Sequence, residues 1–398
     1  MQSRRIFIGK VATGIAGTLA ASNVLGANDR VRLGFIGAGA RGTELLREAL
    51  ACPHTECGAV ADVYNQRLQA AQVPAPGARM HADYRRVLDD PSLDAVVIAT
   101  PSHLHAEQFA AALDAGKHVY QERTMAFTVE DAKRMRAAWQ RSGKVVQIGH
   151  QFCSSGHVTD AAAFLKPELL GKITAIRAQF FRNTPRGKPQ WSRPLYPDMN
   201  PANIAWHSFL GSAPRREFDA DRYLNWRLYW DYSGGNVTEN LSEQLAFWYK
   251  LLGLKIPRAV TMTGGVYLWK DGREVPDTMH VGMEHHEEIL FSWDSGFGNS
   301  HPGIGEEVLG TDGTISRGQQ IRYAPQKVNR PAANEMAGTT RTEPRAHMQN
   351  FLNAIRSGKE TNCPFEVGYR VSIACRMAVD SYLEQRTVCW DAAKEEIV

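Results

Sequence analysis

Three stretches of the chain hold residues whose types and spacing could do chemistry. Gly37-Ala38-Gly39-Ala40-Arg41-Gly42 fits G-x-G-x-x-G. In such a turn the first glycine permits the tight bend, the second lets the backbone approach a pyrophosphate, and the third packs helix against strand. The helix N-terminus that follows offers free N–H groups and a positive dipole end to phosphates. Glu122-Arg123, inside VYQERTMAF, sets a carboxylate beside a guanidinium. Glu239 and Glu243, inside SGGNVTENLSEQ, stand four residues apart and share a face on a helix. Two carboxylates so placed repel each other, and away from water at least one takes a raised pKa. Such a glutamate can accept a proton from an alcohol, a carbon acid or a water.

Hydrophobic periodicity supplies the elements that must position these groups. Val31, Leu33, Phe35 and Ile36 make a short apolar strand before the glycine turn, and Leu45, Leu46, Ala49 and Leu50 give a helical pattern after it. A second strand, ECGAVADV, brings Asp62 about 25 residues beyond the first glycine, near the spacing of a ribose-binding acid. A carboxylate there bonds the adenosine ribose hydroxyls and repels a 2′-phosphate. NAD is therefore favoured over NADP, while Arg67 nearby keeps the second open. LDAVVIATP is a continuous apolar run, the pattern of a parallel strand buried on both faces. A helix over 105–113, the strand KHVY, a helix over 128–139 and the strand KVVQIG continue the alternation. The expected class is α/β, a doubly wound Rossmann sheet over residues 30–151. Ligands of such sheets bind beyond the carboxyl ends of the strands. Thr100-Pro101, Glu122-Arg123 and Gly149-His150-Gln151 lie at those ends. The cofactor-facing candidates are Gly37, Gly39, Ala40, Arg41, Gly42, Asp62, Thr100, Pro101, His105, Glu122 and Gln151.

Past residue 151 the pattern changes. KITAIRAQFFRN reads as a long strand, and a loop rich in Pro, Trp and Arg follows from 184 to 227. Val237, Leu241, Leu245 and Trp248 then recur at helical spacing, which predicts a helix over 236–252. In it Asn236 as N-cap and Glu239 at the third helical position come close to a capping box, so Glu239 has a structural reading as good as a chemical one. Glu243 has no such duty. Strand-like runs AVTMTGGVYL, EEILFSWDS and FGNSHPG follow, and helical patterns over 345–356 and 367–385 close the chain. Residues 152–398 are expected to form an α+β domain with a mostly antiparallel open sheet.

The stretches GFIGAGARG, ADVY, DAVVIATPSHLHAEQ, AGKHVYQERTMAFTVEDAK and SGGNVTENLSEQ resemble the glucose–fructose oxidoreductase, inositol dehydrogenase and rhizopine-catabolism (Gfo/Idh/MocA) family of two-domain oxidoreductases. The resemblance runs in order and with normal spacing from roughly residue 30 to 390. It implies a Rossmann domain, a C-terminal sheet that often mediates homo-oligomers, NAD(P) as cofactor, and sugars or polyols as substrates. The family's Glu-Lys-Pro motif is written here Glu122-Arg123-Thr124. Arg123 keeps the positive charge and can hold hydroxyls or a carboxylate, but it does not give up its proton. Thr124 removes the proline and the backbone constraint that came with it. A second family motif sets an acid four residues before a histidine that often serves as base. Those positions here are Glu239 and Glu243, with no histidine in TENLSEQ. The expected roles are Glu243 as proton acceptor, Arg123 as the group that orients hydroxyls, and Glu239 as a third catalytic candidate. Gln151, Trp206, His207, Tyr223 and Arg227 join Arg123 as substrate-facing candidates.

The departures leave three functions open. One is an NAD-dependent oxidoreductase acting at a carbinol carbon of a sugar, polyol or glycoside. Another is a glycosidase, lyase or epimerase that retains NAD through transient ring oxidation with no net redox change. The third is a non-catalytic sugar-binding protein with retained NAD.

Composition and termini bound the rest. A chain of 398 residues is too long for one ordinary core, and 43% apolar with 22% charged residues describes a globular protein. A net charge of +4 without a long basic run excludes nucleic acid as a partner. Six cysteines are scattered without CxxC pairs, which argues against a zinc ribbon and leaves room for one or two disulfides. Arg4 and Arg5 precede a short run of small apolar residues, so residues 1–29 read as a twin-arginine export signal, cleaved near 21–27, and the expected location is the periplasm. A membrane-anchoring arm is the alternative, though the run is short and rich in Gly and Ala for a span. MEHHEEI resembles a metal site at first glance; on a strand His286 would share a face with Glu284 and Glu288, a charged ladder rather than a ligand set, and no metal is expected. His103 is read as helix-start packing; His150 and His157 follow a strand end and are read either as substrate-reaching or as hydrogen-bonded structural groups.

Overall fold

The computed structural model describes residues 30–398, so the twin-arginine stretch lies outside the described residues. The first sheet has six parallel strands: β1 (Val31–Ile36), β2 (Thr55–Ala61), β3 (Arg79–His81), β4 (Ala95–Ile98), β5 (His118–Gln121) and β6 (Val146–Ile148). Their order is β3-β2-β1-β4-β5-β6. The order reverses between β1 and β4, which opens a crevice at the carboxyl ends of those strands. Both faces are covered by helices, and β4 is buried along its whole length as its unbroken apolar run requires. The short β3 has no apolar run of its own and was not expected from the sequence.

The second sheet has ten strands. β7 (Ile173–Phe181) lies centrally, beside β10 (Leu290–Gly296) and β11 (Ile304–Gly310). β9 (Thr278–Glu284), β8 (Ala259–Gly265), β15 (Val388–Asp391) and β16 (Glu396–Ile397) extend one side; β12 (Gly313–Arg317), β13 (Ile321–Pro325) and β14 (Met336–Ala337) extend the other. All pairs are antiparallel except β7 with β10. Three expectations are corrected here. FGNSHPG is a loop, because Pro302 and its glycines leave no ladder to form. The chain closes on a small hairpin, β15–β16, after its last helix. Met283 and Glu284 end β9 and residues 285–289 form the turn to β10; Glu284 pairs with Arg258 and Glu288 with Lys172, so the assumed continuous strand face does not exist. All six cysteines are free.

Two helices join the halves. Phe365–Glu384 packs against β8 and against the helix Val129–Ser142, with Phe365 stacked on Trp139 at 4.7 Å. Ala346–Ser357 lies on the Rossmann side, where Met348, Phe351 and Leu352 enter the core formed by Leu33, Phe35, Leu45, Val97 and Tyr120. Each such side chain contributes roughly 1.5–3 kcal/mol by leaving water. His347 adds polar links, with Nε2 to the Ile148 carbonyl at 2.9 Å and its own carbonyl accepting from Gln147 Nε2 at 2.6 Å.

Candidate active site

The glycine turn is built as its spacing demands. Gly37 has φ +95°, and a Cβ on Gly42 would stand 1.9 Å from the Gly37 carbonyl oxygen. Gly39, which precedes the helix Ala40–Leu50, has open space on its outer side, the nearest atom being an Arg67 guanidinium nitrogen at 3.6 Å. No side chain caps this helix, so its first N–H groups face the crevice without an acceptor among the described residues. Asp62 closes the loop: Oδ2 accepts from the Ala38 amide at 2.7 Å and Oδ1 from the Tyr64 amide at 2.9 Å. Open amides, a close-approach glycine and a carboxylate at the second strand fit the pyrophosphate and ribose of a dinucleotide.

A cavity of about 830 Å³ runs from this turn toward the second domain, within the range of ligand sites. Gly37, Gly39, Ala40, Arg41, Asp62, Thr100 and Pro101 line one end. Arg123, Arg227 and Glu239 gather at the other; Tyr223, against Tyr64 and Arg67, and His207 also line the cavity, as do Arg182, Trp191, Arg193, Arg215, Trp226 and Asn240, which sequence reasoning missed. The signal for Trp191, Arg193, Arg215 and Trp226 was the Arg- and Trp-rich composition of segment 184–227, which has no long period to say which side chains turn inward; Arg182 and Asn240 lie outside that segment.

Glu122 and Arg123, adjacent in the chain, serve different neighbours. Glu122 turns toward the glycine helix, accepting from Arg41 Nε at 2.9 Å and from the Arg123 amide at 3.2 Å. Arg123 turns the other way, toward residues 237–243. Its Nε forms an ion pair with Glu243, and its Nη1 donates to the Glu239 carbonyl oxygen at 2.6 Å. Thr124 Oγ1 donates to the Thr238 carbonyl oxygen at 2.5 Å, and the Arg123–Thr124 peptide is cis. These carbonyls are available because Val237–Leu241 winds as a π-helix before the α-helix Ser242–Leu252 begins. The capping box expected at Asn236 is not formed. Asn236 donates to Ser295 Oγ at 2.6 Å and accepts from Asn240, so Glu239 is freed to pair with Arg227 Nε at 2.9 Å.

Helix 242–252 is held against the second sheet by a buried polar network. Gln244 Nε2 and Trp248 Nε1 donate to Glu306 at 2.7 and 3.0 Å, Trp293 Nε1 donates to Gln244 Oε1 at 2.7 Å, and Arg317 pairs with Glu306 at 2.5 Å. Glu243 sits on this helix one layer behind Arg123. Burial pushes its carboxyl above the ordinary value, against the pull of the Arg123 guanidinium. Oε2 of Glu243 is buried and has no hydrogen-bond partner among the described residues.

Three candidates are placed elsewhere. His105 does not reach the cavity, because its ring braces backbone: Nε2 meets the Thr100 carbonyl at 2.8 Å and Nδ1 that of Thr124 at 2.9 Å. It thereby ties the β4 exit to the segment carrying Arg123. Gln151 lines a separate cavity of about 500 Å³ with Phe152, Arg317 and His347. Trp206 is buried, with Nε1 donating to the Arg216 carbonyl at 2.8 Å and its ring stacked on Phe209. Gly42 and Glu122 support the wall from behind rather than line it.

Residues 31–150 match the Gfo/Idh/MocA oxidoreductase family, NAD-binding Rossmann fold. Curated relatives similar to part of the chain include levoglucosan dehydrogenase of Pseudarthrobacter phenanthrenivorans, 30% identical over 36% of either chain. Inositol 2-dehydrogenase of Salmonella typhimurium is 35% identical over 30% of this chain and 36% of its own. The chain thus matches little more than a third of the length of these relatives. A solved structure titled levoglucosan dehydrogenase, complex with NADH and L-sorbose, superposes over 90% of this chain and 98% of its own at TM-score 0.72 and 19% identity. At that identity it shows a shared two-domain fold.

Proposed function

We propose that the protein is an NAD-dependent oxidoreductase of a sugar, polyol or glycoside, acting at a carbinol carbon. The observation that carries this reading is the Arg123–Glu239 pair, held at the carboxyl end of β5 on the same cavity as the open dinucleotide turn, with Glu243 ion-paired to Arg123 from behind the wall. The open amides after Gly39, with Asp62 and Thr100, would hold the cofactor; bound there, it supplies the acceptor for a substrate hydrogen. Arg123 donates to substrate hydroxyls and stays charged. Glu243, shielded and with one free oxygen, takes the hydroxyl proton, and Glu239 fixes Arg227 at the wall. The relatives named for sugar or polyol dehydrogenation support the substrate class. Glu243→Gln is expected to lower kcat by about 10²–10⁴-fold with the dinucleotide still bound. A Glu243→Ala protein with full activity would remove the assignment.

A second reading, retained NAD with no net redox change, has its own support. Segment 184–227, expected as a loop but carrying short helices at Trp206–Leu210 and Ala220–Leu224, covers the adenosine side: Tyr64 pairs with Ile204, Tyr64 OH donates to Asp198 at 2.7 Å, and the Ala205 amide donates to Val63 at 2.8 Å. Such a cover slows cofactor exit. NADH accumulating in proportion to product selects the first reading, and turnover without added NAD or net NADH selects the second. Export through the twin-arginine route and homo-oligomer formation through the C-terminal sheet complete the proposal. Cell fractionation and light scattering test them.

A further inference from the structure

We infer that the substrate carries an anionic group, a carboxylate before any other, so that the class handled is an acidic sugar of the uronate type. The inference rests on the sugar-oxidoreductase reading and deepens it.

The two ends of the cavity differ in charge. Around the dinucleotide turn, acids and bases are matched: Arg41 pairs with Glu122 and Glu44, and Arg85 with Glu107. The cavity wall also carries Arg123, Arg182, Arg193, Arg215 and Arg227, of which Arg182 and Arg227 stand close to Arg123 at the substrate end. Glu239, which pairs with Arg227 and faces Arg123, is the carboxylate on that wall, and Glu243 stands behind Arg123. Two carboxylates thus serve two of the five guanidiniums. Arg182, Arg193 and Arg215 have no ion pair among the described residues. Arg182 lies over the Phe180 ring at 4.5 Å, and the charged group that acts on it is another cation, Arg123. All three are exposed, so water screens their mutual repulsion, and a ligand that displaces that water is favoured when it brings the opposite sign. Neutral hydroxyls would be served equally by Asn240, His207 and the Trp191 and Trp226 rings, with no need for surplus cations. A planar carboxylate suits the guanidinium fork, and phosphate or sulfate esters share that chemistry.

The rival use of these arginines is the dinucleotide phosphates, whose open amides lie after Gly39. Calorimetric titration of the full NAD-loaded protein separates the two. D-glucuronate and D-galacturonate are expected to bind at least about tenfold more tightly than D-glucose and D-galactose, with the preference shrinking as salt rises. Arg182→Gln, at an exposed position that does not build the core, is expected to bring that ratio toward one. Glucose 6-phosphate and glucose 6-sulfate in the same panel report whether the site takes esters better than carboxylates; esters winning would overturn the uronate assignment. Equal binding of acidic and neutral sugars would also overturn it, as would an Arg182→Gln protein that loses NAD affinity and keeps the ratio. Absorbance at the NADH band is read in parallel. Neutral sugars that turn over with NADH while uronates do not bind would sink the acidic class and leave the oxidoreductase standing. Uronates that bind with no redox signal would do the reverse.

Discussion

Glu243 meets two opposing influences, burial that favours its neutral form and Arg123 that favours its charged form, and burial prevails. A proton acceptor must be ionised, so kcat/KM is expected to rise with pH along a limb displaced above the ordinary glutamate range. Arg123→Gln removes the opposing charge. The limb should move further up, and kcat should fall by about 10²-fold; a pH–rate profile whose limb does not move would separate Glu243 from the chemistry. The residue types at this site were legible in the sequence, as was the four-residue spacing of Glu239 and Glu243. Their partners were not. Arg227 comes from a loop without periodicity, and the π-winding that turns the Glu239 carbonyl toward Arg123 depends on contacts from Ser295 and Thr124, both distant in the chain.

Among the elements, the glycine turn was the most legible, because each glycine answers a contact that any side chain would violate. Gly42→Ala would place a methyl 1.9 Å from the Gly37 carbonyl oxygen, so helix and strand must separate. The expected result is loss of dinucleotide binding, measured by protein-fluorescence quenching on NADH titration, together with a lowered Tm. Retained NADH affinity would mean that the turn is not the phosphate site. The helix Val129–Ser142 was equally readable from its capping residues: the Thr128 side chain accepts from the Asp131 amide at 3.0 Å and the Asp131 carboxylate from the Thr128 amide at 3.2 Å. Segments such as FGNSHPG and MEHHEEI misled, since short apolar or charged runs look strand-like wherever their turn residues are given too little weight.

Across the whole molecule, the first sheet ends at Ile148 and the second begins at Ile173. What could not be read is that Ala346–Ser357 returns to the first half, because an amphipathic helix does not name the surface it will cover. A fragment ending at residue 151 is therefore expected to be unstable, with no cooperative thermal transition. A fragment melting like the full chain would contradict this. Buried histidines add a pH dependence. Burial lowers His103 and His285 from the ordinary 6.5 to about 4, and His347 to about 3. They are neutral in the fold and protonate more readily in the unfolded chain. The stability they confer is complete above about pH 6.5 and is lost as pH falls toward 4, at about 2 kcal/mol per group by pH 5. Urea midpoints at pH 7 and pH 5 measure the loss; equal midpoints would show that these rings are not held neutral. The helix that covers Leu33 and Tyr120 also has a place in time. A ribosome makes the whole nucleotide-binding sheet first and the helix that finishes its core last. Until residue 346 and its successors emerge, the nascent sheet has a bare apolar flank, and a growing chain gains its firm grip on a dinucleotide only near the end of its own synthesis.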